Sequence, residues 1–239
     1  MLVVQPITHA DIPVITDLWY DGFRTSGFLE LIPDTPGIRQ WWNDANLHDL
    51  LHKPTARYWK VVDDTMPNGP PIAYAKWDMQ SAEERGDRFP PWHGDMNDGC
   101  SEFFGRLERQ RRELLGGKKN YCIFSLFCIF FFFLFCFFLS LVPLSPRPNS
   151  LARYGIYMLT TVRRKDLDML CTHPQYRGKG AGSMLVARGC EEADQDRVPA
   201  YVDASRDGAP LYARHGFEDR TIPGFAAEGV KNMVRQPKS

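Results

Sequence analysis

The sequence predicts an α/β fold, chiefly because strand and helix patterns alternate through its C-terminal third. A short apolar run at 167–172 precedes a glycine-rich stretch, and an apolar-periodic segment begins at Met184. At 198–203 apolar and polar residues alternate, as in a half-buried strand, and Pro210 suits the first turn of a further helix. Strands that alternate with helices in this way predict a sheet with helices packed on its faces.

The N-terminal half predicts further elements of the same fold. Residues 12–23 carry apolar side chains at helical spacing, and Asp11 before them is the predicted N-cap. Residues 57–62 and 71–77 have the composition of strands and are joined by a turn-rich stretch, so they predict a hairpin. The charged segment 98–115 has apolar residues at intervals and predicts a surface helix.

The glycine-rich stretch is the strongest functional signal in the chain. Gly178, Gly180 and Gly182 alternate with other residues, and glycine tolerates positive φ and allows a ligand to approach the backbone closely. The first turn of the helix that follows has N–H groups without helical partners and a partial positive charge. This combination predicts a binding site for a phosphorylated cofactor.

Two known phosphate-binding patterns fit this loop poorly. A nucleotide P-loop is excluded, because Lys179 precedes Gly180 and no Lys-Ser/Thr pair follows. A dinucleotide loop, G-x-G-x-x-G, fits Gly178 and Gly180 but has Ser183 at its third position. Residues 173–177 also separate the loop from the strand, whereas a dinucleotide loop follows its strand at once. A dinucleotide-dependent oxidoreductase therefore stays only as an alternative.

A third pattern, R-x-x-G-x-G, is filled by Arg177, Gly180 and Gly182. It resembles the pyrophosphate loop of the GCN5-related N-acetyltransferases (GNAT), which bind acetyl-CoA. The motif L-Y-x-x-x-G-F, present at 211–217, is similar to a second motif of that family. Two motifs in the right order and at a suitable distance are much more specific than either one.

The resemblance to the GNAT family covers residues 1–119 and 165–239 and is closest to acetyltransferase-like proteins common in filamentous fungi. It implies a mixed central sheet of six to seven strands flanked by about four helices, in a single domain over 1–239. It also implies an enzyme that transfers an acetyl group from acetyl-CoA directly to a primary amine of a small molecule or peptide. A CoA-binding module without catalysis is the alternative.

The same resemblance implies roles for individual residues. Tyr212 is the candidate acid for the leaving thiolate, because a phenol is protonated at neutral pH. Asp168 is the candidate base for the amine, with Asp203, His173 and a water chain left open. The implied cofactor-binding positions are the backbone of Leu170, Cys171 and Thr172 for the thioester arm, and Arg177, Gly178, Lys179, Gly180, Ala181, Gly182 and Ser183 for the pyrophosphate.

One segment does not fit this fold. Residues 121–142 hold nine of the sixteen Phe residues, and no charged residue occurs between Lys119 and Arg147. A transmembrane helix over 122–142 is one interpretation. It would separate a strand from its sheet partners across a bilayer, where backbone groups cannot pair. We instead interpret 122–162 as a translated retained intron, because pyrimidine-rich DNA encodes Phe, Leu, Ser, Pro and Cys.

Composition limits the remaining classes of function and location. The formal net charge is zero and the pI is near 7.0, which gives no electrostatic reason to expect nucleic-acid binding. Outside the Phe-rich segment the cysteines are Cys100, Cys171 and Cys190, an odd and widely spaced set that favours a reducing, cytoplasmic environment. His48 and His52 lack a third ligand, so no metal site is predicted.

Overall fold

A mixed sheet with helices on both faces forms the described part of the chain. The computed structural model describes residues 1–24, 27–66, 69–79, 90–96, 99–115, 165–223 and 229–238. The strands are β1 Leu2–Pro6, β2 Ala56–Asp63, β3 Ala73–Asp78, β4 Lys165–Thr172, β5 Ala200–Ser205, β6 Glu218–Asp219 and β7 Val230–Arg235. The helices are α1 Ile12–Phe23, α2 Phe28–Leu31, α3 Pro36–His52, α4 Gly99–Leu115, α5 Ala181–Gln195 and α6 Ala209–Arg214.

The seven described strands form one sheet in the order β1-β2-β3-β4-β5-β7-β6. Neighbouring strands are antiparallel except β4 and β5, which are parallel. A parallel pair needs a crossover connection, and α5 provides it. The predicted α/β class and the predicted six to seven strands are confirmed. The helix count is also close, since the described residues contain four long helices and two short ones.

The parallel pair is short. Its register runs from Lys165 opposite Ala200 to Leu167 opposite Val202 and then ends. Both strands continue beyond that point, β4 to Thr172 and β5 to Ser205. The two strands therefore diverge and leave an opening between their carboxyl ends, where ligands bind in many α/β sheets.

An irregularity in β4 lies at the start of this opening. Lys76 of β3 pairs with Met169, while the next residue, Trp77, pairs with Leu167. Asp168 is therefore an extra residue without a counterpart on β3, which is the pattern of a β-bulge. A bulge bends its strand and redirects a side chain, so this one separates the paired and unpaired halves of β4.

Two hydrophobic clusters cover the two faces of the sheet. Successive side chains of β3 alternate between them, with Trp77 in the cluster under α5 and Tyr74 in the cluster under α1 and α3. Trp77 is fully buried, and a Cβ atom built on Gly189 of α5 would lie 2.1 Å from its ring. The helix that follows the glycine loop can pack this closely on the sheet only because residue 189 has no side chain.

The start of α1 differs from its prediction. Asp11 precedes the helix, as expected, but its side chain makes no capping hydrogen bond to it. The carboxylate instead accepts bonds from the N–H and hydroxyl of Thr8, each 2.8 Å long, and from Lys60 at 2.7 Å. A 3-10 turn at His9–Asp11 causes this, because it directs the side chain back towards Thr8 and β2.

The predicted insertion at 122–162, including the alternative membrane span at 122–142, lies outside the described residues. All described elements belong to one unit, Met1–Gly116 with Val162–Ser239. Within the described ranges, no helix combines the length and apolar character needed to cross a membrane.

Replacement of Gly189 by alanine should destabilise the fold, because the new methyl group overlaps the buried Trp77 ring. We expect a loss of about 1–3 kcal/mol in the free energy of unfolding, measured by urea denaturation. Gly105→Ala on α4 is the matched control, since its Cβ would be 3.6 Å from Arg109. That variant should gain up to ~1 kcal/mol of helix propensity. Equal effects of the two changes would contradict this account of how α5 packs.

Candidate active site

The glycine loop has the backbone conformation that its sequence predicts at two of its three glycines. Gly178 has φ +76° and Gly180 has φ +91°, and no atom lies within 4 Å of a Cβ built at either position. Gly180 is the residue before α5, so the N–H groups of the first turn, Ala181–Ser183, open onto this space. The loop therefore offers backbone donors and open space to an anion.

Gly182 has a different role from the other two glycines. It lies within α5 with an ordinary helical φ, so conformational freedom is not required there. A Cβ at this position would lie 3.5 Å from the Leu211 and Thr172 side chains, which is ordinary contact. The structure thus places Gly182 where α5, α6 and the end of β4 meet.

The two cations of the loop lie at its exposed edge. Arg177 donates a hydrogen bond to the backbone carbonyl of Gly22, near the end of α1. The ammonium of Lys179 lies 4.6 Å from the ring centroid of Tyr176. Both contribute positive charge beside the helix N-terminus, although their predicted contact with a pyrophosphate stays a prediction.

A histidine that sequence reasoning did not select touches the loop. The Nε2 atom of His215 is 2.7 Å from the hydroxyl of Ser183 in the first turn of α5. Burial, followed by the nearby Arg214 and Arg235, lowers the pKa of His215. The imidazole is therefore neutral at pH 7 and holds Ser183 in place. Its position inside the unspecified part of L-Y-x-x-x-G-F gave no sequence signal.

The L-Y-x-x-x-G-F motif is a helix C-cap that holds Tyr212. The N–H of Phe217 donates to the Tyr212 carbonyl at 3.2 Å, that of Gly216 donates to Ala213 at 3.0 Å, and Gly216 has φ +87°. These bonds form a Schellman motif, which requires a residue that accepts positive φ. The Phe217 and Tyr212 ring centroids are 5.8 Å apart. Burial raises the pKa of Tyr212 above its ordinary value, so the phenol keeps its proton at neutral pH.

Asp168 lies at the β-bulge and is 8% exposed. The ammonium of Lys76 is 3.9 Å from its carboxylate and also hydrogen bonds Asp49 of α3. Lys53 pairs with Asp49 as well, at 2.9 Å. Burial works to raise the pKa of Asp49, but the two lysines outweigh it and lower that pKa. Asp168 thus belongs to a cluster of charges that joins β3, β4 and α3.

The end of β4 has one edge without a strand partner in the described pairing. Residues 169–172 pair with β3 only, because the β4–β5 register stops at Leu167. Successive N–H groups of a strand point to opposite sides, so alternate donors of this stretch point into the opening. The predicted backbone positions Leu170, Cys171 and Thr172 all belong to it. The Cys171 side chain is not part of this open edge, because its thiol donates a hydrogen bond to the Leu18 carbonyl. Burial raises the pKa of this thiol to about 12.

The opening continues into a cavity of about 420 Å³. Asp168, Leu170 and Tyr212 line it together, so the structure brings both predicted catalytic side chains to one cavity. Asp203 also lines it, and its carboxylate accepts hydrogen bonds from Tyr201 at 2.6 Å and Asn232 at 2.8 Å. The other lining residues are Trp19, Phe23, Gly27, Phe28, Leu31, Ile32, Trp42, Phe103, Phe104, Leu107, Met169, Val202, Ser205, Gly229 and Val230.

The remaining predicted positions do not line this cavity. Cys171 and Thr172 lie further along β4, and the loop residues 177–183 lie beyond them. The order along the opening is therefore cavity, open edge of β4, and glycine loop. This order suits an elongated cofactor whose phosphate end and reactive end lie far apart.

A sequence model described as an acetyltransferase (GNAT) domain matches residues 151–219. The matched part includes β4, the glycine loop and the whole L-Y-x-x-x-G-F motif at 211–217. Its first residues, 151–162, overlap the end of the segment that we interpreted as an insertion. No protein with a curated description matches the sequence.

Solved structures share this fold. A Corynebacterium glutamicum protein described as histone acetyltransferase HPA2 and related acetyltransferase has a TM-score of 0.53 at 18% identity, covering 100% of this chain and 97% of its own. The PaiA N-acetyltransferase of Thermoplasma acidophilum, in complex with coenzyme A, has a TM-score of 0.51 at 8% identity, and the match covers 99% of each chain. Arabidopsis thaliana NAA60, in complex with acetyl-CoA, has a TM-score of 0.50 at 12% identity, and the match covers 98% of this chain and 96% of NAA60. These likenesses establish the GNAT acyltransferase fold.

The stability contributed by His215 should depend on pH. Its pKa in the folded protein is below the ordinary value of 6.5, so the unfolded chain binds the proton more readily. The contribution is present above about pH 6.5 and is lost as the pH falls through the folded pKa. Melting temperatures from pH 8 to 5 should therefore fall more for the wild type than for His215→Gln. A constant difference between the two proteins would contradict this.

Proposed function

We propose that this protein is an N-acetyltransferase that moves an acetyl group from acetyl-CoA to a primary amine. The observation that carries the proposal is that Tyr212 and Asp168 line one cavity at the opening between β4 and β5. The GNAT match over 151–219 includes both residues. The fungal type that the sequence resembles stays a prediction.

The residues present fit acetyl-CoA. The positive φ of Gly178 and Gly180, with open space around both, leaves room for a pyrophosphate against the first turn of α5. The open edge of β4 over 168–172 offers backbone donors and acceptors to the amide groups of the pantetheine arm. Two proteins of this fold are described in complex with coenzyme A or acetyl-CoA, which supports the same choice here.

The bound thioester supplies an activated acetyl group, and the residues of this chain supply proton transfer and charge stabilisation. Asp168 accepts the proton that the acceptor ammonium loses, with Asp203 as the other carboxylate in the cavity. The neutral amine then attacks the carbonyl carbon, and an N–H of the open β4 edge stabilises the oxyanion. As the C–S bond breaks, Tyr212 donates its proton to the sulfur, and the resulting phenolate takes up the second proton that the attacking nitrogen loses as the amide forms. The products are the N-acetylated amine and coenzyme A.

We also propose a cytoplasmic location and a small-molecule or peptide amine as acceptor. Cys100, Cys171 and Cys190 are buried free thiols in the described structure, which suits a reducing compartment. The net charge of zero offers no electrostatic attraction to nucleic acid.

Calorimetry with coenzyme A and with NAD tests the cofactor. Binding of coenzyme A alone is the expected result, and binding of NAD alone would favour an oxidoreductase instead. An acetylation assay that measures the release of free thiol in the presence of amines distinguishes an enzyme from a CoA-binding module without activity.

Gly180→Ala should weaken coenzyme A binding. At φ +91° a side chain costs about 1–2 kcal/mol, and relaxation of that strain moves the N–H groups of the loop. We expect the dissociation constant measured by calorimetry to rise about tenfold or more. Gly94→Ala is the control, since a Cβ there also has open space but no positive φ. Unchanged binding in Gly180→Ala would remove the loop from the cofactor site.

Tyr212→Phe should lower kcat and leave acetyl-CoA affinity nearly unchanged. Loss of a general acid costs roughly 10²–10⁴-fold, and the phenyl ring still packs against Phe217. The rate of thiol release at saturating substrate gives kcat, and calorimetry gives the affinity for acetyl-CoA. Tyr20→Phe is the control, because that hydroxyl bonds the Pro33 carbonyl away from the cavity. A kcat equal to that of the control would assign Tyr212 to packing alone.

Deletion of 122–162 should preserve coenzyme A binding and raise solubility, because we propose that this Phe-rich segment is foreign to the domain. Calorimetry and the soluble fraction after expression measure the two effects. Deletion of 122–150 is the comparison, since the GNAT match begins at 151. Binding by the shorter deletion alone would move the boundary to 150. Loss of binding in both, with full-length protein extracted only by detergent, would favour a membrane segment.

A further inference from the structure

One wall of the cavity is an unbroken chain of aromatic rings. Each ring contacts the next at a centroid distance between 5.1 and 5.4 Å, and the last three contacts are edge-to-face. All six rings line the cavity. In order, the rings are Trp42, Trp19, Phe23, Phe28, Phe103 and Phe104.

The rings reach this wall from four helices. α1 and α3 contribute the two buried tryptophans, while Phe23, Phe28, Phe103 and Phe104 at the ends of α1, α2 and α4 are only half-buried. Among the phenylalanines whose burial the structure describes, these four are partly exposed, whereas Phe217 is buried. The partly hydrated phenyl rings of the described chain thus lie at the cavity, where a bound apolar group would remove their surface from water.

The strand side of the cavity differs from the helix side in charge. It is formed by β4, β5, α6 and Val230 of β7, which contribute apolar side chains such as Leu170 and also the two charged residues of the described lining, Asp168 and Asp203. Lysine and arginine are absent from that described lining. The cavity therefore offers negative charge on the strand side and an apolar surface on the helix side.

We propose that the acceptor is a primary amine with a compact aromatic or similarly apolar body, of the arylalkylamine class. The inference rests on the proposed acetyl transfer, and it concerns the same cavity. The ammonium group lies towards Asp168, where it loses its proton, and the apolar body packs on the Phe23, Phe28 and Phe103 rings. A volume of about 420 Å³ suits a small molecule of this kind.

A polyamine or a lysine-rich peptide fits this cavity less well. Each carries further cations that would lie against the aromatic wall, where the described lining offers them no carboxylate. Ring faces attract cations only weakly at half-exposed sites, which does not offset the cost of removing an unpaired charge from water. An amino alcohol lacks the apolar body and leaves the rings hydrated. The preference among acceptor amines should consequently depend more on the size of their apolar body than on their number of charges.

The experiment uses the full-length protein with acetyl-CoA and four amines. We expect kcat/KM for 2-phenylethylamine and tryptamine to exceed that for ethanolamine and spermidine by at least tenfold, as apolar pocket contacts commonly provide. In Phe28→Ala this ratio should fall about tenfold or more, and in Phe103→Leu it should fall less, while coenzyme A binding by calorimetry shows that the fold is retained. The leucine variant keeps an apolar side chain in place of the ring.

Trp59→Leu is the matched control, because Trp59 of β2 packs under Arg188 of α5 and lies outside the cavity lining. Its amine preference should equal that of the wild type. Preference for spermidine, or a ratio that the phenylalanine variants leave unchanged, would overturn the proposal.

Calorimetry that measures the binding of each amine to the coenzyme A complex separates this inference from the proposed function. Binding of 2-phenylethylamine in preference to spermidine without any acetyl transfer would support the cavity assignment and contradict the enzyme. Failure of both arylalkylamines to bind would overturn the inference even if another amine is acetylated.

Discussion

The divergence of β4 and β5 is the constraint on which the rest of the site depends. The two strands are paired over three residue pairs and separate beyond Leu167 and Val202. If the pairing continued, the open edge of β4 would be occupied by β5 and no cavity would exist between them. The bulge at Asp168 lies where the pairing stops, and a bulge bends its strand. One local irregularity thus opens the sheet and places a carboxylate in the opening.

Contacts far from the cavity decide where the glycine loop lies. α5 approaches the sheet closely because Gly189 leaves room for the buried Trp77 ring. At the other end of that helix, Ser183 contacts His215, whose own carbonyl accepts a bond from Arg235 of β7. The first turn of α5 is consequently held from both sides, and its N–H groups are oriented before a ligand arrives. Preorganised donors of this kind need little rearrangement on binding.

The two walls of the cavity have different chemistry because they come from different layers of the fold. The strand wall places Asp168 and Asp203 near the centre of the sheet, where neighbouring polar groups hold them. The helix wall is built from helix ends, whose half-buried rings complete the hydrophobic core on one side and line the cavity on the other. In the function that we propose, reaction chemistry and acceptor selection therefore belong to separate sides of one cavity.

Local patterns in the sequence determined the elements and the two motifs. Strand alternation, the glycine spacing and the C-cap at 211–217 depend on residues close together in the chain, so they predicted β4, α5, β5 and α6 within a few residues. Asp11 is the N-cap residue of α1 as predicted, but its carboxylate binds Thr8 and Lys60 instead of capping the helix, and Lys60 lies on a distant strand. The aromatic wall and the Ser183–His215 contact were decided only by the tertiary structure. Their members lie on separate elements, and side chains distant in sequence become neighbours only when the sheet brings those elements together.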